Sequence, residues 1–237
     1  MTYVDGYVIA VPNANRAAYL ASAVASGPLF RDFGATRIVE SWGDDIPDGT
    51  RTDFRRTVQA SAEETVVFAF MEYPDKAVRT DAVTRMMADP AMATMDMPFD
   101  GRRMVFGGFQ AEVDEGRGGT TGYVDGFLVP VAPARKDAYF DMARRMATVF
   151  IEHGATRVVE AWGDDVPGGT VTDFYRGVDA QEDEAVVFSW VEWPSKATRD
   201  TGWAAAMADD RMNTPPDDMP FDGKRMVYGG FSVLLAS

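Results

Sequence analysis

The chain contains no cysteine, which removes disulfides, thiolate metal ligands and cysteine nucleophiles together. Its single histidine, His153, leaves no convincing Ser-His-Asp arrangement and rules out a zinc site built of His and Cys. Cations are few: 23 Lys and Arg stand against 37 Asp and Glu, a formal net charge of −14. Nucleic-acid binders need clustered Lys and Arg to meet phosphates, so nucleic acid is excluded as a partner. No apolar run approaches the roughly 18 residues that a membrane span needs. The opening residues, Met1 to Gly6, lack the basic-then-apolar pattern of a secretory leader. The expectation is a soluble cytoplasmic protein with no membrane contact, its acidity serving solubility. No glycine-rich phosphate loop is present either, because Gly107-Gly108 and Gly229-Gly230 fall inside strand patterns.

What the chain does have is a repeat. Tyr3-Val4-Asp5-Gly6 returns as Tyr123-Val124-Asp125-Gly126, and Trp42-Gly43-Asp44-Asp45 as Trp162-Gly163-Asp164-Asp165. Val66-Val67-Phe68 recurs in register as Val186-Val187-Phe188. The second copy gains two residues around Pro215-Pro216, and the pattern resumes with Met97-Pro98-Phe99-Asp100-Gly101 matching Met219-Pro220-Phe221-Asp222-Gly223. About half of the paired positions are identical, so the chain is a tandem duplication. The division expected is a first repeat over 1–113, a Gly- and charge-rich linker over 114–122, and a second repeat over 123–237.

One copy reads as a strand from Tyr3 to Val11, a helix over 13–33, a strand over 36–43 and a turn-rich loop at Asp44 to Gly49. A short strand or arm follows at Thr52 to Val58, then an apolar strand from Thr65 to Tyr73. A helix runs from Pro74 to about Ala88, and a last strand from Arg103 to Val113. The order β-α-β-β-α-β is the ferredoxin-like arrangement, with both helices on one face of an antiparallel sheet. The other face is apolar and needs a cover, which the duplicate supplies. The fold class expected is α+β: two ferredoxin-like repeats whose sheets pack as an intramolecular dimeric α/β barrel. This is a pseudo-dimer within one chain, open to further homo-oligomerisation.

The Tyr-Val-Asp-Gly opening, Trp-Gly-Asp-Asp, Trp193-Pro194-Ser195-Lys196-Ala197 and Met219-Pro220-Phe221-Asp222-Gly223 with its sequel resemble the YbaA-like family of unknown function. The resemblance spans both copies nearly end to end and implies the dimeric α/β-barrel superfamily. Members of the family are mostly single-copy, so the tandem arrangement is a departure. The wider superfamily includes cofactor-free monooxygenases, haem-linked enzymes, lactone isomerases and plain ligand binders, and fold alone does not choose among them.

Several positions carry candidate chemistry. Glu40 and Glu160 share a strand face with apolar neighbours and Trp42 or Trp162, so each needs a partner or a raised pKa. Arg56 and Arg176, retained in both copies, are the partners expected in a buried ion pair; a poised general base is the alternative. Glu72 and Glu192 raise the same question. Asp44-Asp45 and Asp164-Asp165 sit in turns, where bonding to their own backbone competes with proton sharing or cation binding. His153 lies on an apolar helical stripe where the first copy has Phe33; packing competes there with a role as base. Trp42, Trp162, Trp190 and Trp193 suit core packing or the wall of a pocket for a flat apolar ligand. In the first copy Ser22 and Ser26 replace Met142 and Met146, and Gly27-Pro28 interrupts the helix. The halves are therefore expected to have diverged, with at most one retaining a pocket.

Two functional readings follow. In the first, the barrel holds a small molecule, with Trp42, Trp162, Trp190, Arg56 and Arg176 as ligand contacts. In the second, the protein is a cofactor-independent enzyme, monooxygenase- or isomerase-like, using Glu40, Glu160, Asp44, Asp164 or His153 as general base. Neither implies a cofactor or a metal. The absence of a complete catalytic constellation favours the first.

Overall fold

A computed structural model describes every residue except 117, 214, 216 and 217, so Arg117 of the expected linker and Pro216 of the expected insertion lie outside the described residues. In the first repeat, β1 spans Tyr3–Pro12, α1 Arg16–Phe33, β2 Arg37–Asp45 and α2 Phe54–Thr57. Then come β3 Glu64–Tyr73, α3 Lys76–Ala88, α4 Pro90–Ala93 and β4 Val105–Gly116. The second repeat has β5 Tyr123–Val131, α5 Lys136–Glu152, β6 Arg157–Asp165 and α6 Phe174–Gly177. It ends with β7 Ala185–Trp193, α7 Lys196–Met207 and β8 Val227–Ala236.

Each repeat is a four-stranded antiparallel sheet, ordered β4-β1-β3-β2 in the first and β8-β5-β7-β6 in the second. Antiparallel pairing of β2 with β8 and of β4 with β6 joins the two sheets into one closed eight-stranded barrel. The α+β intramolecular barrel expected from the repeat is therefore the fold. Closure removes the unpaired edges that each half-sheet would otherwise present. The linker begins later than expected. Asp114 and Glu115 still pair with Val159 and Val158 of β6, and Arg157 holds Asp114 at 2.7 Å, so β4 continues to Gly116.

Strand alternation sorts the side chains into two cores. Val4, Val8 and Ala10 of β1 point into the barrel with Phe68, Phe70, Phe109, Phe188, Trp190 and Phe231. Phe68 and Phe188 stack at 4.5 Å, one ring from each repeat. The glycine of each Tyr-Val-Asp-Gly motif makes room for them: a Cβ at Gly6 would lie 2.7 Å from Phe188, and one at Gly126 2.8 Å from Phe68. Trp190, expected as a ligand contact, is fully buried and stacks on Phe70 at 4.0 Å. It is part of this filled interior, because position 190 falls on the inward face of β7.

The stretch expected as a strand or arm is the short helix α2, and α6 repeats it. The two arms meet, Thr172 Oγ1 donating to Thr57 O at 2.6 Å, and they send Phe54 and Phe174 into the barrel core. Asp53 caps α2 by accepting from Arg56 N at 2.8 Å and from Gly49 N at 3.2 Å. Replacing such a cap by alanine removes about 1 kcal/mol or slightly more. Asp53→Ala should therefore lower the urea midpoint at constant m-value, and an unchanged midpoint would show that the cap is idle.

The helix α1 is not interrupted at Gly27-Pro28 but runs through it. Proline lacks an N–H, so the carbonyl of Val24 loses its helical donor. Val24 and Pro28 are both exposed, and water can take its place.

Candidate functional site

The outer face of the barrel carries the polar groups that the sequence singled out. On β2, Ile38 and Glu40 turn outward beneath α1, and Val158 and Glu160 do the same beneath α5. Between helices and sheet each repeat leaves a cavity, of about 440 Å³ in the first and 280 Å³ in the second. Both halves thus leave a cavity where at most one was expected, and each lies beneath the helices on the outer face of the barrel. The size difference follows the substitutions. Ser22, Ser26 and Val83 line the first cavity where Met142, Met146 and Trp203 line the second.

Glu40 and Glu160 stand on the cavity floors, half-buried, with their free side toward the open space. Neither takes Arg56 or Arg176 as partner. Tyr19 Oη donates to Glu40 Oε2 at 2.5 Å, and Tyr139 Oη to Glu160 Oε2 at 2.8 Å. Burial pushes both carboxyls up to about 7, the tyrosine hydrogen bond, joined at Glu160 by one from Ser189, offsetting only part of that. Burial and the adjacent carboxylate push both tyrosine hydroxyls well above their ordinary range. Arg56 and Arg176 lie on the arms, where their guanidiniums donate to Gly49 O and Gly169 O at 2.7 and 2.6 Å. The arms pack at the barrel core and not under α1 or α5, so these arginines cannot reach the outer-face glutamates.

The walls are unusually rich in methionine. Thirteen of the fourteen methionines of the chain line the two cavities, all except Met1. Four pairs occupy matching places: Met87 and Met207, Met92 and Met212, Met97 and Met219, Met104 and Met226. Unbranched thioether side chains adapt to differently shaped apolar ligands and pack favourably on aromatic edges. Neither this grouping nor Tyr19 and Tyr139 emerged from reading the sequence. Its signals were methionines recurring at equivalent positions and a tyrosine kept in both copies at one spacing before the glutamate.

The acidic pairs serve the junction of the repeats. Asp164 accepts from Tyr3 Oη at 2.9 Å and pairs with Lys76 at 2.7 Å, while Asp165 meets Arg79 at 2.5 Å. In the reciprocal direction, Asp44 accepts from Tyr123 at 3.0 Å and pairs with Lys196 at 3.0 Å, and Asp45 meets Arg199 at 3.0 Å. Burial acts upward on Asp44, but Lys196 and Tyr123 outweigh it and hold its carboxyl below the usual range. Lys76 above all holds Asp164 low. Arg79 and Arg199 also bind the buried Asp5 and Asp125, each at 2.8 Å. The Asp-Asp motifs are thus partnered across the junction, where side chains of the other repeat replace the local turn bonds expected of them. Gly108 and Gly230 let the tyrosine hydroxyls through, since a Cβ at Gly108 would lie 2.6 Å from Tyr3 Oη and one at Gly230 would clash with Tyr123 Oη.

Glu72 and Glu192 are also paired. Arg37 bonds both carboxylate oxygens of Glu192 at 2.6 and 2.7 Å, and Arg157 both of Glu72 at 2.7 and 2.9 Å, again across the repeats. His153 is the C-cap of α5, with Nε2 3.5 Å from Asp209, and lines neither cavity. Trp42 and Trp162 lie half-buried on the outer face beneath Arg16 and Lys136, at 5.4 and 5.0 Å, and are not among the cavity-lining residues. No described helix is long and apolar enough to cross a membrane.

Comparison with known proteins agrees with this architecture. Residues 2–101 and 122–223 each match one family, described as Protein of unknown function (DUF1428). The uncharacterized protein YbaA of Escherichia coli (strain K12) is 54% identical over 113 residues, covering 48% of this chain and 97% of that protein. Among solved structures, a "putative monooxygenase" from Lactobacillus acidophilus superposes with a TM-score of 0.60 at 11% identity, covering 100% of this chain and 96% of that one. One from Fusobacterium nucleatum gives 0.58 at 10% identity, covering 100% and 94%. At such identities the likeness is one of fold.

Proposed function

The chain belongs to the DUF1428 family, here in tandem, and from that premise we propose that each half binds an apolar small molecule between its helices and the barrel. The ligand's polar group would sit on the Glu40–Tyr19 or Glu160–Tyr139 pair. The observation that carries this reading is a carboxyl kept in an apolar, methionine-walled cavity. A buried polar group without a structural ion-pair partner is costly to the fold, and its presence in both halves indicates use. Cavities of this kind, mostly apolar with a few convergent polar groups, are typical of ligand sites.

The test is binding of an environment-sensitive apolar dye by the whole protein, read by fluorescence. Ser22→Met with Ser26→Met should fill the first cavity and remove about half of the binding stoichiometry, leaving the second site intact. Undiminished dye binding would place the site elsewhere.

The carboxyl pushed up to about 7 favours a second reading, as a general base near neutral pH. Turnover of a bound ligand that carries an acidic C–H or O–H bond, lost on Glu40→Gln and Glu160→Gln while binding persists, would distinguish catalysis from simple binding. The two solved structures described as "putative monooxygenase" are compatible with either reading, since fold alone does not assign a reaction.

A further inference from the structure

Resting on the reading of the two cavities as binding sites, we infer that they select hydrophobic cations, amines or quaternary ammoniums carrying an apolar body, with Glu40 and Glu160 as the countercharge. The basis is a contrast among the acidic groups of the molecule. Asp5 and Asp125 are held by Arg79 and Arg199, Glu72 and Glu192 by Arg157 and Arg37, and Glu64 and Glu184 by Arg103 and Arg225. Wherever this fold buries one of these carboxylates for structural purposes, it supplies a guanidinium. Glu40 and Glu160 receive only hydroxyls, Tyr19 on Glu40 and Tyr139 with Ser189 on Glu160, and no Lys or Arg lines either cavity among the described residues.

An ionised carboxylate in apolar surroundings is strongly unfavourable unless a cation reaches it. Here the cavity leaves space beside it for a cation from outside. The walls suit the same ligand. Tyr7, Tyr19, Phe30 and Phe99 present aromatic surfaces in the first cavity, and Phe150 and Phe221 in the second. The electron-rich face of such a ring attracts a desolvated cation. An anionic ligand would meet a like charge with no basic side chain to relieve it. The greater volume of the first cavity assigns it the bulkier ligand.

The other titratable groups around Glu40 are Tyr7 on β1, Tyr19 on α1 and the exposed Asp96 at the rim. Burial holds both tyrosines neutral through the physiological range. Around Glu160 the corresponding group is Tyr139. The charge of each floor therefore changes with its glutamate.

The experiment uses three probes of one shape: phenylbutyl trimethylammonium, its neutral carbon isostere, and the corresponding phenylalkyl carboxylate, titrated calorimetrically into the full-length protein. The cation should bind at least about 10-fold more tightly than the isostere at pH 8.5, as expected for a desolvated charge pair with aromatic walls, and the carboxylate most weakly. That preference should shrink at pH 5.5, where the glutamates are protonated, although the quaternary ammonium keeps its charge. It should vanish in the Glu40→Gln, Glu160→Gln double variant and survive in Glu40→Asp, Glu160→Asp. Equal binding of cation and isostere at both pH values would overturn the charge selectivity while leaving the cavities as binding sites. Binding of none of the three would overturn both.

Discussion

Replacing Trp190 by alanine is expected to lower the stability of the whole chain by about 3–5 kcal/mol, the range for removing a large aromatic side chain from a packed core. In a protein of this size that is a fall in Tm on the order of 10 °C. Trp190 is fully buried, stacks on Phe70 of the other repeat at 4.0 Å, and donates its Nε1 hydrogen to Glu192 at 2.9 Å. The cavity left would open in the barrel interior between the two half-sheets, so both halves should unfold in one transition. Trp193→Ala serves as the contrast, because Trp193 packs on the helix side of its own repeat and donates to Asp125. Calorimetry on both variants checks the point. A Trp190→Ala protein with an unchanged Tm, or one in which a single half melts first, would contradict a shared barrel core. Binding of an apolar dye should persist below the melting range, since Trp190 lines neither cavity.

Substituting Glu40 and Glu160 by glutamine should have the opposite effect on stability above neutral pH. Each carboxyl is pushed up to about 7 in the folded protein, against 4.5 for the ordinary group. Folding therefore favours the protonated form. The contribution is intact below about pH 4.5, is lost as the pH rises toward 7, and stays lost above it, because the unfolded chain releases these protons first. A tenfold difference in proton affinity between the folded and unfolded chain corresponds to about 1.4 kcal/mol. Water entering the cavity reduces the effect, so a gain on the order of 2 kcal/mol per site is expected for the glutamine variants at pH 8. Their side-chain carbonyl can still accept from Tyr19 and Tyr139. Urea unfolding at pH 4.5, 6 and 8 should show the variant and parent curves converging at low pH and separating as pH rises. A gap independent of pH would mean that the glutamates do not titrate in this range. A stabilising change at a position retained in both repeats is also the signature expected of a functional site, where stability has been given up for use.

The face of Glu40 was legible from strand alternation, since Ile38, Glu40 and Trp42 share it in any extended strand. Its partner was not. Arg56 and Tyr19 are both retained in the second copy and lie at comparable distances along the chain, so charge alone favoured the arginine, whereas α1 packing on β2 brings Tyr19 to the carboxyl. The same holds for the Asp-Asp motifs. Their partners are Tyr3, Lys76 and Arg79 in one direction and Tyr123, Lys196 and Arg199 in the other, all distant along the chain. Gly6 and Gly126 could be recognised as constrained positions, but the Phe188 and Phe68 rings that require them belong to the opposite repeat.

By itself, the sequence determined the eight main strands, the four longer helices, their order and the pairing of two sheets, because these follow from hydrophobic periodicity and from a duplication written in the chain. The short arm helices α2 and α6 carry too few residues for periodicity to distinguish them from strands. Tertiary structure alone decided that the barrel interior is filled, that the cavities lie outside it beneath the helices, and which acids receive a guanidinium. Periodicity assigns a side chain to a face, but the volume left over and the charge that arrives beside it depend on residues from both repeats meeting in space.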